Sequence, residues 1–196
     1  YMRTDSITLS QEALNGARKV IENKYGKEYL PKSPRVYKGK SKNAQEAHEA
    51  IRPAGSSFRD PSDLKTTLTD VEYKVYELIW KRTVASQMNS AKTEQTKLEI
   101  SEGDHIFVAN GKTIIFPGFL RAYVEGADDP NAKLDDMENT LPKVNKGETV
   151  KWDDIIPKQH FTKPISRFTE ASLVKELEAL GIGRPSTYAA IMQNIQ

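Results

Sequence analysis

The first six residues, YMRTDS, place a phenol and a guanidinium two positions apart. The hydroxyl of Tyr1 can attack phosphorus once it is ionised, but its ordinary pKa of about 10 means that a base or a positive field must help. Arg3 could supply that field and also hold a phosphate, because its planar fork donates two parallel hydrogen bonds and keeps its charge. The pair therefore fits attack on a phosphodiester. Taken alone, a tyrosine that merely packs is the commoner meaning, and that alternative stays open here.

The segment EAHEAIRP, residues 46–53, is a second candidate. Asn43 and Glu46 have the spacing of a helix cap, and Pro53 cannot continue a helix, so we expect a short helix that ends before the proline. On that helix His48 and Arg52 would share one face and could hold a phosphate between them. A solvated face with an ordinary i,i+4 pair is the alternative that these residues alone favour.

The segment GIGRPST, residues 181–187, is a third candidate. Its glycines form a turn, and Arg184, Ser186 and Thr187 would then stand at the start of a final helix that Ser186 or Thr187 caps. Helix N-termini attract phosphate through free N–H groups and the helix dipole. The spacing is not that of a Walker A loop or a dinucleotide-binding loop. A plain connection between two helices explains the segment equally well.

Residues 24–42 carry seven Lys or Arg with Tyr25, Tyr29 and Tyr37 interleaved. Cations that follow a phosphate backbone and rings that stack on bases suit single-stranded nucleic acid. A solvated run of charge is the commoner meaning of such a stretch, and the aromatic residues shift the interpretation only slightly towards binding.

Composition excludes several classes of site. The 196-residue chain has 29 Lys and Arg against 27 Asp and Glu, so the net charge of +2 does not by itself indicate a nucleic-acid surface. The absence of Cys excludes disulfides, zinc ribbons and thiol catalysis. Three scattered histidines, and acidic pairs placed in loops or at a strand edge, lead us to expect no metal site within the chain. With no apolar run of membrane-spanning length and no signal peptide, we expect a soluble, cytoplasmic protein.

Helical signals dominate residues 1–88. Thr8 with Gln11 has the spacing of a capping box for a first helix that Gly26 stops. Thr69 with Glu72 predicts a longer helix that runs to about Met88. Its expected buried stripe is Val71, Val75, Leu78, Ile79 and Val84.

From residue 93 onward the pattern alternates, as in strands. We expect strands at 96–100, 105–111 and 112–119, with a hairpin turn at Asn110-Gly111, and further strands within 119–126, 149–155 and 158–163. We expect residues 125–139 to be a polar, acidic loop or a partly disordered insertion, and helices to return from Thr169. This order of elements predicts an α+β fold.

Four segments, in this order along the chain, together resemble the bacterial type IA DNA topoisomerases, the topoisomerase I branch in particular. They are YMRTDSITLS, EAHEAIRP, LIWKRTVASQM and FTEASLVKELEALGIGRPSTYAAIMQNIQ. Topoisomerase III usually has Pro where this chain has Met2, and reverse gyrase shares related motifs, so both remain alternative relatives.

The resemblance implies roles for individual residues. Tyr1 would be the nucleophile that forms a 5′-phosphotyrosine link to a single strand, so that negatively supercoiled DNA is relaxed by strand passage and religation without ATP. Arg3 would hold the scissile phosphate. The residues implied in DNA binding are His48, Arg184, Ser186 and Thr187, with Arg52 and Arg167 as weaker phosphate contacts.

The resemblance also implies a toroidal architecture with a gate. Residues 1–88 would belong to the helical domain that bears the tyrosine, 89–165 to an antiparallel β arch, and 166–196 to the start of a helical base domain. Mg²⁺ would be bound by an upstream Toprim domain that lies outside this chain, as do the C-terminal DNA-binding regions. We therefore expect a central fragment that acts on DNA, mainly single-stranded, in the nucleoid, and that does not relax DNA alone. A DNA-binding module without catalysis and a purely structural or protein-interaction fragment are the alternatives.

Overall fold

The computed structural model describes residues 6–37, 49–123 and 138–195. Four α-helices and one antiparallel strand pair appear in these ranges, which agrees with the predicted α+β class. In chain order they are α1 (Gln11–Lys24), α2 (Asp70–Ser86), β1 (Lys92–Glu102), β2 (His105–Phe116), α3 (Glu170–Leu180) and α4 (Tyr188–Ile195). Short 3-10 turns lie at Lys27–Tyr29, Pro61–Leu64 and Gly118–Arg121.

Helix α1 begins later along the chain than a cap at Thr8 would place it. The hydroxyl of Ser10 accepts a hydrogen bond from the Ala13 N–H at 3.3 Å and caps the helix. The predicted cap at Thr8 is wrong, because its carbonyl accepts from the Ala50 N–H at 2.8 Å and its backbone is thereby held outside the helix. The predicted end is right to within two residues, since the helix stops at Lys24, just before Gly26.

Helix α2 has the predicted capping box but a different buried face. The Thr69 hydroxyl accepts from the Glu72 N–H, and the Glu72 carboxylate accepts from the Thr69 N–H at 2.9 Å. The predicted stripe is wrong over its first three members, since Val71 is 73% exposed, Val75 52% and Leu78 49%. All fully buried side chains lie in the last two turns, because only this end of α2 packs against α1.

The core of the helical block is small and lies between α1, the end of α2 and two loops. Alanines on α1 let the helices approach closely, and Trp80 fills the space beside them. Its buried members are Ala13, Ala17, Ile21, Phe58, Trp80, Val84, Ala85, Met88 and Ala122.

The two strands form one long hairpin whose turn is Gly103-Asp104, between the paired residues Glu102 and His105. The predicted turn at Asn110-Gly111 is wrong, because both residues lie within β2 and pair with the continuous strand β1. Gly111 instead makes room for another segment, since a Cβ there would stand 2.8 Å from the Asn139 carbonyl oxygen. At this point Lys112 and Asn139 exchange two backbone hydrogen bonds of 2.9 Å.

The remaining predicted strands do not form within the described residues. The segment after β2 coils into the 3-10 turn Gly118–Arg121 instead of continuing as a strand. Residues 149–163 contain no strand and are exposed along their whole length, and neither β1 nor β2 pairs with them. The predicted return of helix at Thr169 is confirmed, since Thr169 caps α3 and Gly181 ends it in the left-handed conformation.

Candidate functional site

Two chain segments that flank the predicted catalytic residues lie against each other. Tyr1, Arg3 and His48 themselves are outside the described residues. The Ala50 N–H donates to the Thr8 carbonyl at 2.8 Å. The Ser10 N–H donates to Glu49 Oε1, also at 2.8 Å. The segment that follows Tyr1 and the segment that follows His48 are therefore joined by hydrogen bonds.

Glu49 and Arg52 form a bidentate ion pair in the second of these segments. Nε of Arg52 donates to Glu49 Oε1 at 2.7 Å, and Nη2 donates to Oε2 at 3.2 Å. Nη1 donates to the carbonyl oxygens of Pro53 and Gly55, each at 3.0 Å. The Arg52 side chain is only 17% exposed. Four of its five N–H donors thus bond within the chain, and its contact with a DNA phosphate stays a prediction.

The helix predicted to carry His48 and Arg52 is absent from residues 49–52. Pro53 disfavours helical backbone at Arg52, and the Ala50 N–H bonds to Thr8 instead of to a carbonyl one turn earlier. This part of the prediction was wrong, because the residues before Pro53 bond to a distant segment of the chain.

The charge of Glu49 is stabilised by its surroundings. Burial raises the pKa of its carboxyl, but hydrogen bonds from Arg52 and from Ser10, with the charge of Arg52, outweigh burial and lower the pKa to about 2. The group is therefore an anion at any physiological pH and matched by a cation. Sequence reasoning missed Glu49 as a functional candidate, although its three-residue spacing to Arg52 was visible.

The described part of the basic, aromatic stretch is largely used for packing. Lys24 pairs with Asp60, and its Nζ lies 4.9 Å from the centre of a Trp80 ring. Tyr25 is packed so that burial, with the charge of Asp60, raises its pKa to about 12 despite the opposing charge of Arg121. The ring of Tyr29 lies 4.9 Å from that of Phe116. These contacts favour the structural alternative for two of the three tyrosines.

Gln87 fastens the same stretch to the end of α2. Its side chain is 1% exposed, accepts from the Arg35 N–H at 3.0 Å and donates to the Arg35 carbonyl at 3.2 Å. Asn89 donates to the Glu28 carbonyl at 2.7 Å. Sequence reasoning missed both amides; the signal was two amides within three residues directly after an apolar helix.

Arg184, Ser186 and Thr187 lie together on one exposed turn between α3 and α4. The Arg184 N–H donates to Thr187 Oγ1 at 2.8 Å, and that hydroxyl donates to the Arg184 carbonyl at 3.0 Å. The Thr187 hydroxyl, one of the two predicted caps of α4, thus bonds within the turn. A role in DNA binding for these three residues, and for the exposed Arg167, stays a prediction.

A family model described as DNA topoisomerase matches residues 1–196, which is the whole chain. The chain belongs to the DNA topoisomerase family, in its bacterial type IA topoisomerase I branch. It is 57% identical to DNA topoisomerase 1 of Streptomyces coelicolor and 53% identical to that of Synechococcus elongatus, with all of this chain aligned in both cases. It also superposes on full-length topoisomerase I from Thermotoga maritima with a TM-score of 0.75 at 35% identity.

The chain spans only part of these topoisomerases. It matches 21% of the Streptomyces protein, 22% of the Synechococcus protein and 29% of the Thermotoga structure.

The topoisomerase resemblance implies a magnesium ion, but residues 6–37, 49–123 and 138–195 contain no set of side chains that could bind it. These ranges contain no group of three or more His, Asp or Glu side chains that could hold a metal ion. Within the same ranges, no helix is long and apolar enough to cross a bilayer.

Proposed function

We propose that this chain is the tyrosine-bearing central part of a DNA topoisomerase I. In the whole protein it would relax negatively supercoiled DNA by cutting one strand, passing another strand through the break and resealing it. The observation that carries this proposal is the family match over all 196 residues, with Tyr1 and Arg3 in the opening motif YMRTDS.

The proposed chemistry is a pair of phosphoryl transfers that needs no ATP. The Tyr1 oxygen loses its proton and attacks the phosphorus; an O–P bond forms to the 5′ phosphate while the bond to the 3′ oxygen breaks and that oxygen takes up a proton. Religation is the reverse, with the 3′ hydroxyl attacking the phosphotyrosine. Arg3 would stabilise the negative charge that develops on the phosphate oxygens.

The proposed DNA contacts lie at two places in the chain. His48 would help to position the strand near Tyr1, and the hydrogen bonds between residues 8–10 and 49–50 support this, because they hold the flanking segments together. The exposed turn with Arg184, Ser186 and Thr187 would bind phosphates at a second place, with Arg52 and Arg167 as weaker contacts.

The proposed division of the chain follows the family's gated torus. Residues 1–88 would be the helical domain that carries the tyrosine, 89–165 part of the β arch, and 166–196 the start of the base domain. Mg²⁺ would be bound by the Toprim domain elsewhere in the polypeptide. Single-stranded DNA in the nucleoid would be the substrate, and the fragment alone would not relax DNA.

A DNA-binding role without catalysis is the second candidate. The exposed turn at Arg184 favours it, because Arg184 and Ser186 are exposed there whether or not Tyr1 reacts. In that case strand cleavage would not depend on Tyr1.

A denaturing gel distinguishes the two. The full-length protein, with and without Tyr1→Phe, is mixed with Mg²⁺ and a 3′-labelled single strand and then quenched with denaturant. We expect a labelled covalent adduct that Tyr1→Phe abolishes and that a matched control, Tyr37→Phe, leaves unchanged. Equal adduct in the Tyr1→Phe variant, or DNA binding without any adduct, would replace the catalytic proposal with the binding role.

A further inference from the structure

We infer that Glu49, held by Arg52, is a positioning residue for strand cleavage. It fixes the segment that follows Tyr1 and Arg3 against the segment that follows His48. This inference rests on the proposed function, since it concerns the geometry of the same site.

Residues 8–10 and 49–50 are in direct contact. Two hydrogen bonds join residues that are about forty positions apart in sequence, Ser10 N–H to Glu49 and Ala50 N–H to the Thr8 carbonyl, each 2.8 Å long. Ser10 is also the N-cap of α1, whose inner face is fully buried. The junction is therefore fixed to the packed core, and a shift of Glu49 would be felt by both segments.

Hydrogen bonds hold the Glu49 carboxylate in place. Its Oε1 accepts from both Ser10 and Arg52, and its Oε2 accepts from Arg52. Arg52 is in turn held by the carbonyls of Pro53 and Gly55. With both carboxylate oxygens and four guanidinium donors engaged, the pair is built for fixed geometry.

The Glu49–Arg52 pair is poorly suited to binding DNA directly. A carboxylate repels DNA phosphates, and here its charge is neutralised by Arg52 at bonding distance. Only one of the five Arg52 donors is left for the weak phosphate contact proposed above, so the pair adds little net attraction for DNA. The contribution of the Glu49–Arg52 pair is to place His48 and Tyr1 relative to each other. Glu49 directly follows His48, and Thr8, on the other side of the junction, is seven positions from Tyr1.

The chemical reason for such a device is the sensitivity of in-line attack to distance. A misplacement of about 1 Å at the reacting groups can lower a rate by about 100-fold. We therefore expect Glu49→Gln in the full-length protein to lower the Tyr1-dependent cleavage rate by about 10- to 100-fold at saturating DNA. The amide keeps the size of the carboxylate, but it cannot accept both guanidinium bonds.

The experiment measures three quantities for each variant: the single-turnover cleavage rate at saturating single-stranded DNA, the noncovalent Kd for DNA, and the melting temperature. The matched control is Glu77→Gln, which removes the same charge from a pair with Lys81 at 3.2 Å on α2. For Glu49→Gln we expect a slower rate with an unchanged Kd, and for Glu77→Gln no change in either.

A second variant keeps the test decisive if Glu49→Gln does not fold. Arg52→Lys preserves the charge but replaces the bidentate guanidinium with a single ammonium. We therefore expect it to lower the cleavage rate, but by less than Glu49→Gln does. In the double variant the two losses should not add, because both changes break the same contact.

The outcomes separate this inference from the proposed function. If the wild-type protein forms no Tyr1-dependent adduct, the proposed function fails. If the wild type cleaves but Glu49→Gln and Arg52→Lys cleave at its rate, the positioning role is wrong. A rate that falls only in proportion to DNA affinity, or only where the protein has melted, would also overturn it.

Discussion

At the scale of single residues, the part-buried Glu49 and the buried Gln87 decide how distant segments meet. Glu49 joins residues 8–10 to residues 49–50, and Gln87 joins α2 to Arg35 through two hydrogen bonds with its backbone. Gln87 is buried, so a missing partner would leave its amide unsatisfied, which costs more than the bond itself is worth. These side chains therefore specify the loop paths that the helices alone leave undetermined.

The lowered pKa of Glu49 makes its contribution to stability dependent on pH. Burial raises this pKa, but the bonds from Arg52 and Ser10 bring it to about 2 in the folded chain. The unfolded carboxyl titrates near about 4.3, so the stabilisation is complete above that pH and is lost as the pH falls through the folded pKa. Glu49→Gln should lower the free energy of unfolding by about 1–2 kcal/mol at neutral pH, a figure discounted for solvent screening.

Urea unfolding near neutral pH and near pH 3 measures this effect. The difference between the wild type and Glu49→Gln should shrink at the lower pH, because the unfolded Glu49 carboxyl takes up a proton there while the folded one stays largely ionised. Glu77→Gln serves as the control and should cost less at both pH values, since Glu77 makes one i,i+4 contact with Lys81, whereas Glu49 accepts from the Ser10 N–H and from two Arg52 donors. A difference that grew towards acid would contradict the assignment.

At the scale of elements, the hairpin is attached to the helical block at its base. The chain enters β1 after Asn89 and leaves β2 into the turn at Gly118, and these two points touch. The Phe119 N–H donates to the Asn89 carbonyl at 2.9 Å. Gly118 has φ +51°, and a Cβ there would stand 2.5 Å from the Asn89 carbonyl oxygen and the Ala91 nitrogen. Only glycine fits this crossing without moving backbone.

Gly118→Ala should therefore destabilise the chain by about 2–4 kcal/mol, through both the left-handed backbone and the clash. Gly147→Ala is the matched control, because Gly147 has φ +84° but a Cβ there would meet no atom within 4 Å. We expect that control to cost only about 1 kcal/mol. Urea unfolding of both variants gives the two values, and equal losses would mean that the crossing is not tight.

At the scale of the whole molecule, residues 150–168 expose an unusual amount of apolar surface. Trp152 is 73% exposed, Phe161 76% and Ile165 99%. Single exposed apolar residues are ordinary, but a contiguous patch of large ones marks an interaction surface, a ligand-binding groove or an aggregation-prone region. This agrees with a chain that spans about a fifth of the curated topoisomerases it matches.

The exposed turn at Arg184 leads to a prediction about DNA affinity in the full-length protein. If Arg184 contacts a phosphate, Arg184→Gln should weaken binding to single strands and reduce the slope of log Kd against log salt by about 1. Lys175→Gln, on the exposed side of α3, is the charge-matched control and should leave the slope unchanged. Fluorescence anisotropy over a range of salt concentrations measures both slopes, and equal slopes would remove Arg184 from the interface.

Features that depend on neighbouring residues follow from the amino-acid sequence alone. The capping box of Thr69 and Glu72, the α3 start at Thr169, the end of α1 shortly before Gly26 and the end of α3 at Gly181 were all predictable. Each depends on hydrogen bonds or backbone preferences within a few positions. The four motifs likewise identified the family, because their residue types and their order along the chain can be read without a structure.

Features that depend on contacts between segments distant in sequence could be determined only from the folded structure. Asn110-Gly111 has the local chemistry of a turn, yet both residues lie within a strand because β1 and Asn139 flank them there. Val71 and Val75 are apolar, yet exposed, because α1 packs only against the far end of α2. Residues 49–52 were predicted as helix, but Ala50 and Glu49 bond instead to residues 8–10. Periodicity records a preference for burial or pairing, and only the tertiary fold supplies the partner.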